Sequence, residues 1–373
     1  MTSSRPTLRA PLALAIALAV SLALVGCQPG SYTTTVDAPA AAGARAPLSE
    51  IDWLEDPRAY VGTSTALLET NALEPLEPAL SQSLPVTVES DELSGQLSLT
   101  ISSTVRVLAL DMSGSLAATV WALGFGDRLI GRDISTTFPG VEHLPVVTGG
   151  GHAISPESVL ALRPDLIITD GTIGPIDVVL QLRDAGIPVV FVRVAPGLSQ
   201  PAELARRVAQ IFGAPEAGAL LAQRVTADIA DVTGVIAARA PQAREDKLRM
   251  VFLYLRGANG IYYLFGEESG AGELITALGG IDIATEIGWV GLRPMTDEAL
   301  IAANPDLILV MTGGLESVGG VEDLIALKPA LGLTRAGAHL RFVDMADSQV
   351  LSFGPRTALV IDALARAIYA PEQ

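Results

Sequence analysis

Residues 147–171 read VTGGGHAISPESVLALRPDLIITDG, which combines a glycine-rich loop, a short helix and an apolar strand. Ser155 is a typical helix N-cap, Pro156 suits the first helical position, and Glu157 places a carboxylate near the positive end of the helix. The apolar run 166–168 that follows is typical of a strand covered on both faces. This stretch therefore predicts a helix followed by a buried strand, the basic unit of an α/β fold.

The same pattern returns at residues 296–313, which read TDEALIAANPDLILVMTG. Four pairs of residues are each 141 positions apart: Ser155/Thr296, Glu157/Glu298, Pro164/Pro305 and Asp165/Asp306. Solenoid repeats are far shorter, at roughly 20–50 residues. The long period therefore predicts two α/β lobes of similar design that face each other.

Short apolar strands alternate with helices on both sides of the repeat. In the N-terminal lobe, residues 84–213, we predict a hairpin at 84–89 and 96–101, strands at 105–110, 129–131, 146–147, 166–169 and 189–192, and helices at 156–162, 175–185 and 201–212. In the C-terminal lobe, residues 248–373, we predict strands at 248–256, 307–311 and 340–343 and helices at 270–278, 296–303, 321–327 and 354–370. This alternation favours parallel sheets, whose ligands bind at the carboxyl ends of the strands.

A long helix is predicted between the lobes, at Glu216–Ala240 within the linking segment 214–247. The segment 216–240 has no proline and mostly helix-forming residues. At 1.5 Å per residue such a helix is roughly 37 Å long. A flexible linker is the less favoured alternative, and a rigid helix argues against a large closing motion.

The N-terminus has the pattern of an exported lipoprotein. Residues 1–26 contain Arg5, Arg9, an apolar run at Ala10–Val25 and no acidic residue, and Leu24-Val25-Gly26-Cys27 resembles a lipobox. We expect a signal peptide over 1–26, a lipid on Cys27 and a location on the extracytoplasmic face of the membrane, although a plain transmembrane anchor is an alternative. Cys27 is the sole cysteine, so disulfides within the chain are excluded. Residues 27–83 read as a tether and loosely ordered arm, in which Leu67–Leu80 is the part that could lie along a lobe.

The charge and the motifs argue against two classes of function. The formal net charge is −17, and removal of the signal peptide with its two arginines takes it to −19, which disfavours a nucleic-acid partner. The sequence has no nucleophile elbow, P-loop, dinucleotide-binding glycine pattern or cluster of histidines and carboxylates typical of a metal site. Binding is therefore favoured over enzymatic catalysis.

Several segments resemble a known family, the periplasmic-binding proteins of siderophore, cobalamin and haem ABC importers, and within it the actinobacterial haem-uptake lipoproteins. These segments are GRDISTTFPG at 131–140, EHLPVV at 142–147, Gly151-His152 and Tyr254-Leu255-Arg256. The resemblance covers about residues 84–370. It implies an α/β fold of two Rossmann-like lobes with parallel sheets joined by one long α-helix. It also implies a monomer that carries haem b to a permease dimer with its ATPase.

Two residues fit the coordination chemistry of ferric haem, whose iron has an open axial position on each face. An imidazole and a phenolate both ligate haem iron, and His152 and Tyr254 lie at corresponding ends of the two lobes. We therefore expect His152 and Tyr254 to be the axial ligands. Arg256 lies two residues along the same strand face and would favour the ionised phenol. The resemblance implies the same roles, with the arginine hydrogen-bonded to the tyrosine.

Other candidates are weaker or remain open. We expect His143 and His339 to be structural, Tyr262 or Tyr263 to line the pocket at most, and Trp289, Met295 and Phe353 to be either porphyrin contacts or core residues. The haem propionates require donors or water, and the sequence does not choose among Arg132, Arg193, Arg293, Arg341 and Arg356.

The repeated acids Glu157 and Glu298 have two explanations. Each is the second residue of a predicted helix, where a carboxylate stabilises the helix by about 0.3–1 kcal/mol. The resemblance implies instead that acids at these positions meet arginines of the two permease subunits. Haem capture and delivery is the favoured function, a siderophore- or cobalamin-binding protein of the same architecture is the alternative, and a haem-degrading or haem-sensing protein is a distant third.

Overall fold

The computed structural model describes residues 45–77, 81–255 and 262–371. All of them belong to one compact unit, Thr35–Gln373. The predicted signal peptide, Cys27 and Arg256 lie outside the described residues. Within those residues, every helix is too short or too polar to cross a membrane.

The strands are short and follow the predicted segments in most places. In chain order they are β1 (Ser64–Ala66), β2 (Val86–Glu92), β3 (Gly95–Ile101), β4 (Val107–Leu110), β5 (Leu166–Thr169), β6 (Val189–Phe191), β7 (Arg249–Leu255), β8 (Tyr262–Leu264), β9 (Ile281–Asp282), β10 (Arg293–Pro294), β11 (Leu307–Met311) and β12 (Phe342–Met345).

The helices range from single turns to one of 25 residues. They are α1 (Ser115–Val120), α2 (Pro156–Leu162), α3 (Ile176–Asp184), α4 (Gln200–Ile211), α5 (Pro215–Arg239), α6 (Ala271–Ala277), α7 (Ile283–Glu286), α8 (Asp297–Ala303), α9 (Thr312–Glu316), α10 (Val321–Leu327), α11 (Pro329–Gly332), α12 (Arg335–Ala338), α13 (Asp347–Val350) and α14 (Thr357–Tyr369). Single turns of other helix types lie at Trp121–Phe125, Gly126–Arg128, Gly150–His152 and Glu267–Ser269.

The N-terminal lobe is built on a parallel sheet in the order β4-β5-β6. Every residue of these three strands is buried, as expected of strands covered on both faces. The strands predicted at 129–131 and 146–147 form only isolated bridges, Val107 with Leu129 and Arg132 with Val146. Pro145 lacks the N–H that would extend the ladder at this point.

The C-terminal lobe has a mixed sheet in the order β1-β12-β11-β7-β8-β10, with β9 also beside β7. Strands β1, β12, β11 and β7 are parallel, whereas β8 and β10 are antiparallel. The sheet therefore departs from the all-parallel expectation at one edge. Strand β12 starts at Phe342 rather than residue 340, because Leu340 has a left-handed φ of 52° that a strand cannot include.

Residues 45–77 are an ordered part of the fold, which differs from the expected loose arm. Strand β1 extends the C-terminal sheet beside β12, and Leu48 and Ile51 are buried in the core of that lobe. Trp53 stacks on Tyr369 with ring centroids 4.8 Å apart. The arm lacks a regular apolar period, so only tertiary packing shows that its scattered apolar residues are buried.

The same arm continues onto the N-terminal lobe. Leu73 belongs to the core of that lobe, and its carbonyl accepts a hydrogen bond of 3.1 Å from the Trp121 indole N–H. The Leu76 N–H donates to the Ala122 carbonyl at 2.8 Å. The arm therefore contacts both lobes, so it is a second connection between them besides the long helix.

Helix α5 contributes to both cores. Ala217, Leu221 and Val225 in its first half pack in the N-terminal core, and Ile229 and Ile236 in its second half pack in the C-terminal core. A helix anchored at both ends by buried apolar side chains favours a fixed geometry over a hinge.

The lobes meet through loops beyond the carboxyl ends of their strands. Arg356 of the C-terminal lobe lies over the ring of Phe138, 6.0 Å from its centroid. A Cβ on Gly354 would lie 3.3 Å from Cβ of Ser115, so the two backbones approach closely. The carboxyl ends of the two sheets therefore face each other, and a ligand site is expected between them.

Candidate functional site

The repeated helices α2 and α8 have matching local geometry. The Ser155 hydroxyl accepts a hydrogen bond from the Ser158 N–H at 3.3 Å, and the Thr296 hydroxyl accepts one from the Ala299 N–H at 3.2 Å. Glu157 is exposed at the second helical position of α2. Glu298 is equally exposed at the second position of α8.

His152 ends a tight turn that follows the glycine run. The Gly149 N–H donates to the Ala153 carbonyl at 2.7 Å, which closes the turn. Gly151 and His152 both have left-handed backbones, with φ values of 70° and 59°. A Cβ on Gly150 or Gly151 would meet no heavy atom within 4 Å, so the turn borders open space. A non-glycine residue in this conformation is strained, and such strain is common at binding sites.

Tyr254 lies near the carboxyl end of β7 in the C-terminal lobe. It is partly exposed, although Leu253 and Leu255 on either side are buried. Its direct partner on β8 is Tyr263, with ring centroids 6.4 Å apart, and Phe265 packs edge-on at 6.0 Å. Aromatic neighbours on a sheet hold this ring in a defined position.

The three tyrosines of β7 and β8 have different environments. Tyr262 is buried, and its hydroxyl donates to the Asp297 carboxylate at 2.8 Å. Burial, strengthened by that hydrogen bond, raises the pKa of Tyr262, so its phenol stays neutral. Tyr263 shares the face of Tyr254 and is also partly exposed. Of these three, Tyr254 and Tyr263 are therefore accessible to a ligand, and Tyr262 is structural.

A cluster of acids that the sequence analysis did not single out lies at the carboxyl end of the N-terminal sheet. Asp111 follows β4 and Asp170 follows β5 directly, and the Asp111 N–H donates to Asp133 at 3.2 Å. Burial, with the nearby charge of Asp111, raises the pKa of Asp133 to about 7 and that of Asp170 to about 6. A polar residue directly after a buried strand was the available sequence signal.

The acids of this cluster hold the surrounding loops. Asp111 accepts hydrogen bonds from the Ser115 N–H at 3.0 Å and the Leu116 N–H at 3.2 Å, which caps helix α1. Asp133 accepts from the Ser135 N–H at 2.9 Å and the Thr136 N–H at 2.8 Å. These bonds order the loops that face the other lobe.

Two of the five arginines suggested for the propionates are buried within the protein. Arg341 is 1% exposed and donates to the Ser64 hydroxyl at 3.1 Å, and burial lowers its pKa to about 10. Arg356 is 4% exposed and donates to the Asn71 side chain. Their guanidinium groups already serve the fold, so we remove both as propionate candidates.

The other three arginines have more open positions. Arg193 is exposed beyond the carboxyl end of β6 and lies over the ring of Phe191 at 5.5 Å. Arg293 is exposed over the Trp289 ring at 4.9 Å. Arg132 is partly buried and donates to the Thr136 carbonyl at 3.0 Å. Arg193 and Arg293 therefore keep the most freedom to meet an anion.

The remaining predicted contacts divide by burial. Met295 and Phe353 are 6% and 3% exposed and belong to the cores. Trp289 is partly exposed, and its indole N–H donates to the Leu264 carbonyl at 3.2 Å. His143 is exposed and His339 is partly exposed. Among the described residues, no group of three or more histidines, cysteines or acids is arranged to hold a metal ion.

The two lobes thus carry different candidate groups. His152 lies on a loop of the N-terminal lobe, and Tyr254 lies on a strand of the C-terminal lobe. A single ligand that touches both must therefore lie between the lobes.

Comparison with known proteins agrees with this architecture. A family model described as periplasmic binding protein matches residues 112–348. The chain belongs to the periplasmic binding protein family. Membership of a binding-protein family agrees with the expectation of a non-enzymatic function.

Similar solved structures include haem-binding proteins. An arginine variant of the haem-binding protein HmuT superposes with a TM-score of 0.79 at 33% identity, covering 87% of this chain and 97% of that one. The periplasmic haem-binding protein RhuT from Roseiflexus sp. RS-1 has a TM-score of 0.64 at 35% identity, covering 73% of this chain and all of that one. The expected fold class is confirmed by these matches.

Two further similarities bear on the site and the N-terminus. HmuT has also been solved with alanine in place of a histidine and of a tyrosine, and its substituted arginine is two positions after that tyrosine. The uncharacterized ABC transporter substrate-binding lipoprotein YvrC of Bacillus subtilis (strain 168) is 27% identical over 292 residues, which is 76% of this chain and 86% of that protein.

Proposed function

We propose that this periplasmic binding protein captures haem b between its lobes and delivers it to an ABC importer. The observation that carries the proposal is the placement of His152 and Tyr254 on opposite lobes, beyond or near strand ends that face each other. A planar ligand held from both faces requires one donor on each side. Similarity to HmuT and RhuT, both haem-binding proteins, supports haem as that ligand.

Tyr254 is the better-defined iron ligand of the pair. Its strand is buried on both sides of it, so the phenol is held in place before the ligand arrives. No described residue hydrogen-bonds its hydroxyl, which leaves the oxygen available to iron. Arg256, outside the described residues, follows two positions later, as the substituted arginine of HmuT follows its tyrosine. A guanidinium there would favour the phenolate.

His152 supplies the second axial ligand from a turn. Three glycines precede it, and a Cβ on either of the last two, Gly150 and Gly151, would meet open space. A turn of this kind lets the imidazole adjust as haem enters, whereas Tyr254 stays fixed. Ligand exchange on the histidine side would then release haem to the transporter without moving the lobes apart.

The same proposal includes the location of the protein and its contact with the permease. The lipobox at Cys27 anchors the chain on the extracytoplasmic face of the membrane, as the lipoprotein name of YvrC supports. Glu157 and Glu298 then dock onto the two permease subunits, one from each lobe. Both acids are exposed at equivalent helix starts, so they form a symmetric pair of charges. The protein acts as a monomer.

Absorption spectroscopy with added ligands tests the haem proposal. Titration with ferric haem should give a saturating Soret band at one equivalent, together with a phenolate-to-iron charge-transfer band. Parallel titrations use cobalamin and a ferric siderophore. Saturable binding of either of these, without a Soret band for haem, would overturn the proposal in favour of the alternative ligands of the family.

A further inference from the structure

A second concave site lies at the opposite end of the C-terminal sheet from the proposed haem site. Its cavity of about 400 Å³ borders the amino ends of β7 and β11. Five cationic side chains line it: Arg58, Arg244, Lys247, Arg249 and Arg335. We call this cavity the basic pocket. Its distance from the carboxyl ends of the strands separates it from anything that binds between the lobes.

The charge of the basic pocket contrasts with that of the chain. The whole sequence carries a formal charge of −17. The lining of the pocket contains five cations against three acids, Glu245, Glu286 and Asp306, which leaves a local charge of +2. The Debye length is about 8 Å at physiological salt, so a bound anion responds to these nearby groups more than to the net charge.

Three of the five cations already have acidic partners. Arg244 and Arg249 both form ion pairs with Glu286, the latter at 2.8 Å, and Arg335 pairs with Asp306 at 3.0 Å. The Arg249 guanidinium also donates to the Ala303 carbonyl at 2.9 Å. These contacts fix the positions of the guanidinium groups around the cavity and reduce the entropy lost when an anion binds.

The other two cations, Arg58 and Lys247, have no ion pair within the described residues, and the pocket places the unpaired Glu245 against them. Arg58 donates to the Glu245 backbone carbonyl, and it has no ion pair with a carboxylate of the described residues. Lys247 likewise forms no ion pair among the residues that the structure describes. Both are partly buried beside the cavity, so their charges are less screened than those of fully exposed side chains.

We propose that the basic pocket binds a phosphate ester. Guanidinium groups bind phosphate oxygens through paired hydrogen bonds, and lysine adds a point charge. The cavity exceeds the size of a bare phosphate and has room for a small organic group such as glycerol. Two sources share this chemistry, a soluble phosphate ester and the headgroup of an anionic phospholipid. A headgroup in the pocket would hold the end of the C-terminal lobe that lies away from the haem site against the membrane.

The test uses the chain from Gln28 onward, which keeps every described residue and lacks both Cys27 and the predicted signal peptide, so that neither a lipid nor that apolar segment binds the vesicles. One arm titrates glycerol 3-phosphate by calorimetry, with glycerol as its control. The other arm measures co-sedimentation with phosphatidylglycerol vesicles against phosphatidylcholine vesicles. Saturable binding in the first arm identifies a soluble ester as sufficient. Binding to phosphatidylglycerol vesicles alone identifies the lipid headgroup.

Variants assign the binding to the pocket. Arg58→Gln/Lys247→Gln removes the two cations that have no ion pair in the described part of the chain, takes the local charge from +2 to 0, and should weaken binding at least about tenfold. Lys247→Gln alone, which breaks no ion pair of the described residues, guards against a folding defect. The matched control is Arg128→Gln/Arg206→Gln, which removes two charges from the other lobe. The proposal is overturned if neither arm shows saturable binding, or if the control weakens binding as much as the pocket variants.

Discussion

The two lobes share a repeated unit but hold their candidate ligands in different ways. Helices α2 and α8 have the same length and a hydroxyl residue as N-cap. Each ends at a residue with a left-handed backbone, Arg163 in α2 and Asn304 in α8. Yet His152 lies on a glycine turn before α2, whereas Tyr254 lies inside strand β7. The repeat therefore builds two similar frames, and the candidate ligands lie at different points on them.

The repeated Pro-Asp pairs show what the duplication conserves physically. The Asp165 N–H donates to the Arg106 carbonyl and the Asp306 N–H donates to the Arg249 carbonyl, both at 2.8 Å. The first bond joins the start of β5 to the start of β4, and the second joins the start of β11 to the start of β7. Duplication thus explains the strand pairing of each lobe, and it does not by itself predict where a ligand binds.

The largest expected effect tests the difference between the rigid and the adjustable ligand. Tyr254→Ala should lower haem affinity at least about 100-fold and remove the phenolate charge-transfer band, since even partners of a metal ligand are worth 10–100-fold. His152→Ala should cost only about tenfold, because water can replace an imidazole on an open turn. Titration of each variant with haem gives the affinities and spectra.

One control variant and one variant of the neighbouring arginine accompany that measurement. Tyr262→Phe removes a hydroxyl bonded to Asp297 on the other face of the sheet and should leave the spectrum unchanged. Arg256→Ala should shift the charge-transfer band and weaken binding without abolishing it. A greater loss of haem affinity in His152→Ala than in Tyr254→Ala would show that the histidine, and not the tyrosine, is the more important ligand.

The next effect concerns Glu157 and Glu298, the exposed acids at equivalent positions of the two lobes. Glu157→Ala/Glu298→Ala should abolish haem-dependent growth and leave haem affinity unchanged, because the two acids are exposed on α2 and α8 and the proposal assigns them to the permease instead of to haem. Each single change should reduce growth to a similar extent. Growth of the double variant at the normal rate would contradict the docking role. The two acids would then serve only to stabilise their helices, by about 0.3–1 kcal/mol each.

The acid cluster makes the N-terminal lobe sensitive to pH. The pKa values of Asp133 and Asp170 are raised to about 7 and about 6 from 3.8, so the folded state binds protons more tightly than the unfolded chain. Their stabilising effect is complete below pH 3.8 and is lost as pH rises through about 7. The thermal midpoint of the apoprotein should therefore fall by at least about 2 °C from pH 5 to pH 8, against the rising trend of ordinary carboxylates.

Asp170→Asn separates this cluster from the rest of the chain. In the wild type, the Asp170 carboxylate accepts a hydrogen bond of 2.8 Å from the Thr172 N–H. The asparagine keeps a side-chain oxygen that can accept the same bond. The fall in midpoint should be smaller in this variant than in wild type. Asp347→Asn in the C-terminal lobe is the matched control, because burial also raises the pKa of Asp347. An equal change in both variants would show that the cluster is not what distinguishes the lobes.

The smallest effect lies at the ends of the repeated helices. Arg163 and Asn304 have left-handed φ values of 47° and 43°. Arg163→Gly should stabilise the protein by about 0.5–1 kcal/mol, because glycine adopts this conformation without strain. Asn304→Gly should give no gain, since asparagine tolerates the conformation and its side chain accepts the Arg335 N–H at 2.9 Å. Urea denaturation measures both, and equal gains would remove the distinction.

Local patterns were enough to predict many elements. Helix α2, strand β5, strand β11 and helix α10 have the predicted bounds, because their caps, prolines and apolar runs act within a few residues. The family resemblance of the Tyr254-Leu255-Arg256 and Gly151-His152 segments led to the same class of protein that the comparisons show. The roles of those residues in binding stay predictions.

The order of residues along the chain by itself determined the two-lobe α/β architecture, the long helix α5 and the helix starts at Ser155 and Thr296. Tertiary structure alone decided that residues 45–77 join both lobes, that Arg341 and Arg356 are buried, and that Tyr254 is accessible whereas Tyr262 is not. The reason is physical. Capping and periodicity depend on neighbours within about one turn, whereas burial and charge depend on segments that meet only after the chain has folded.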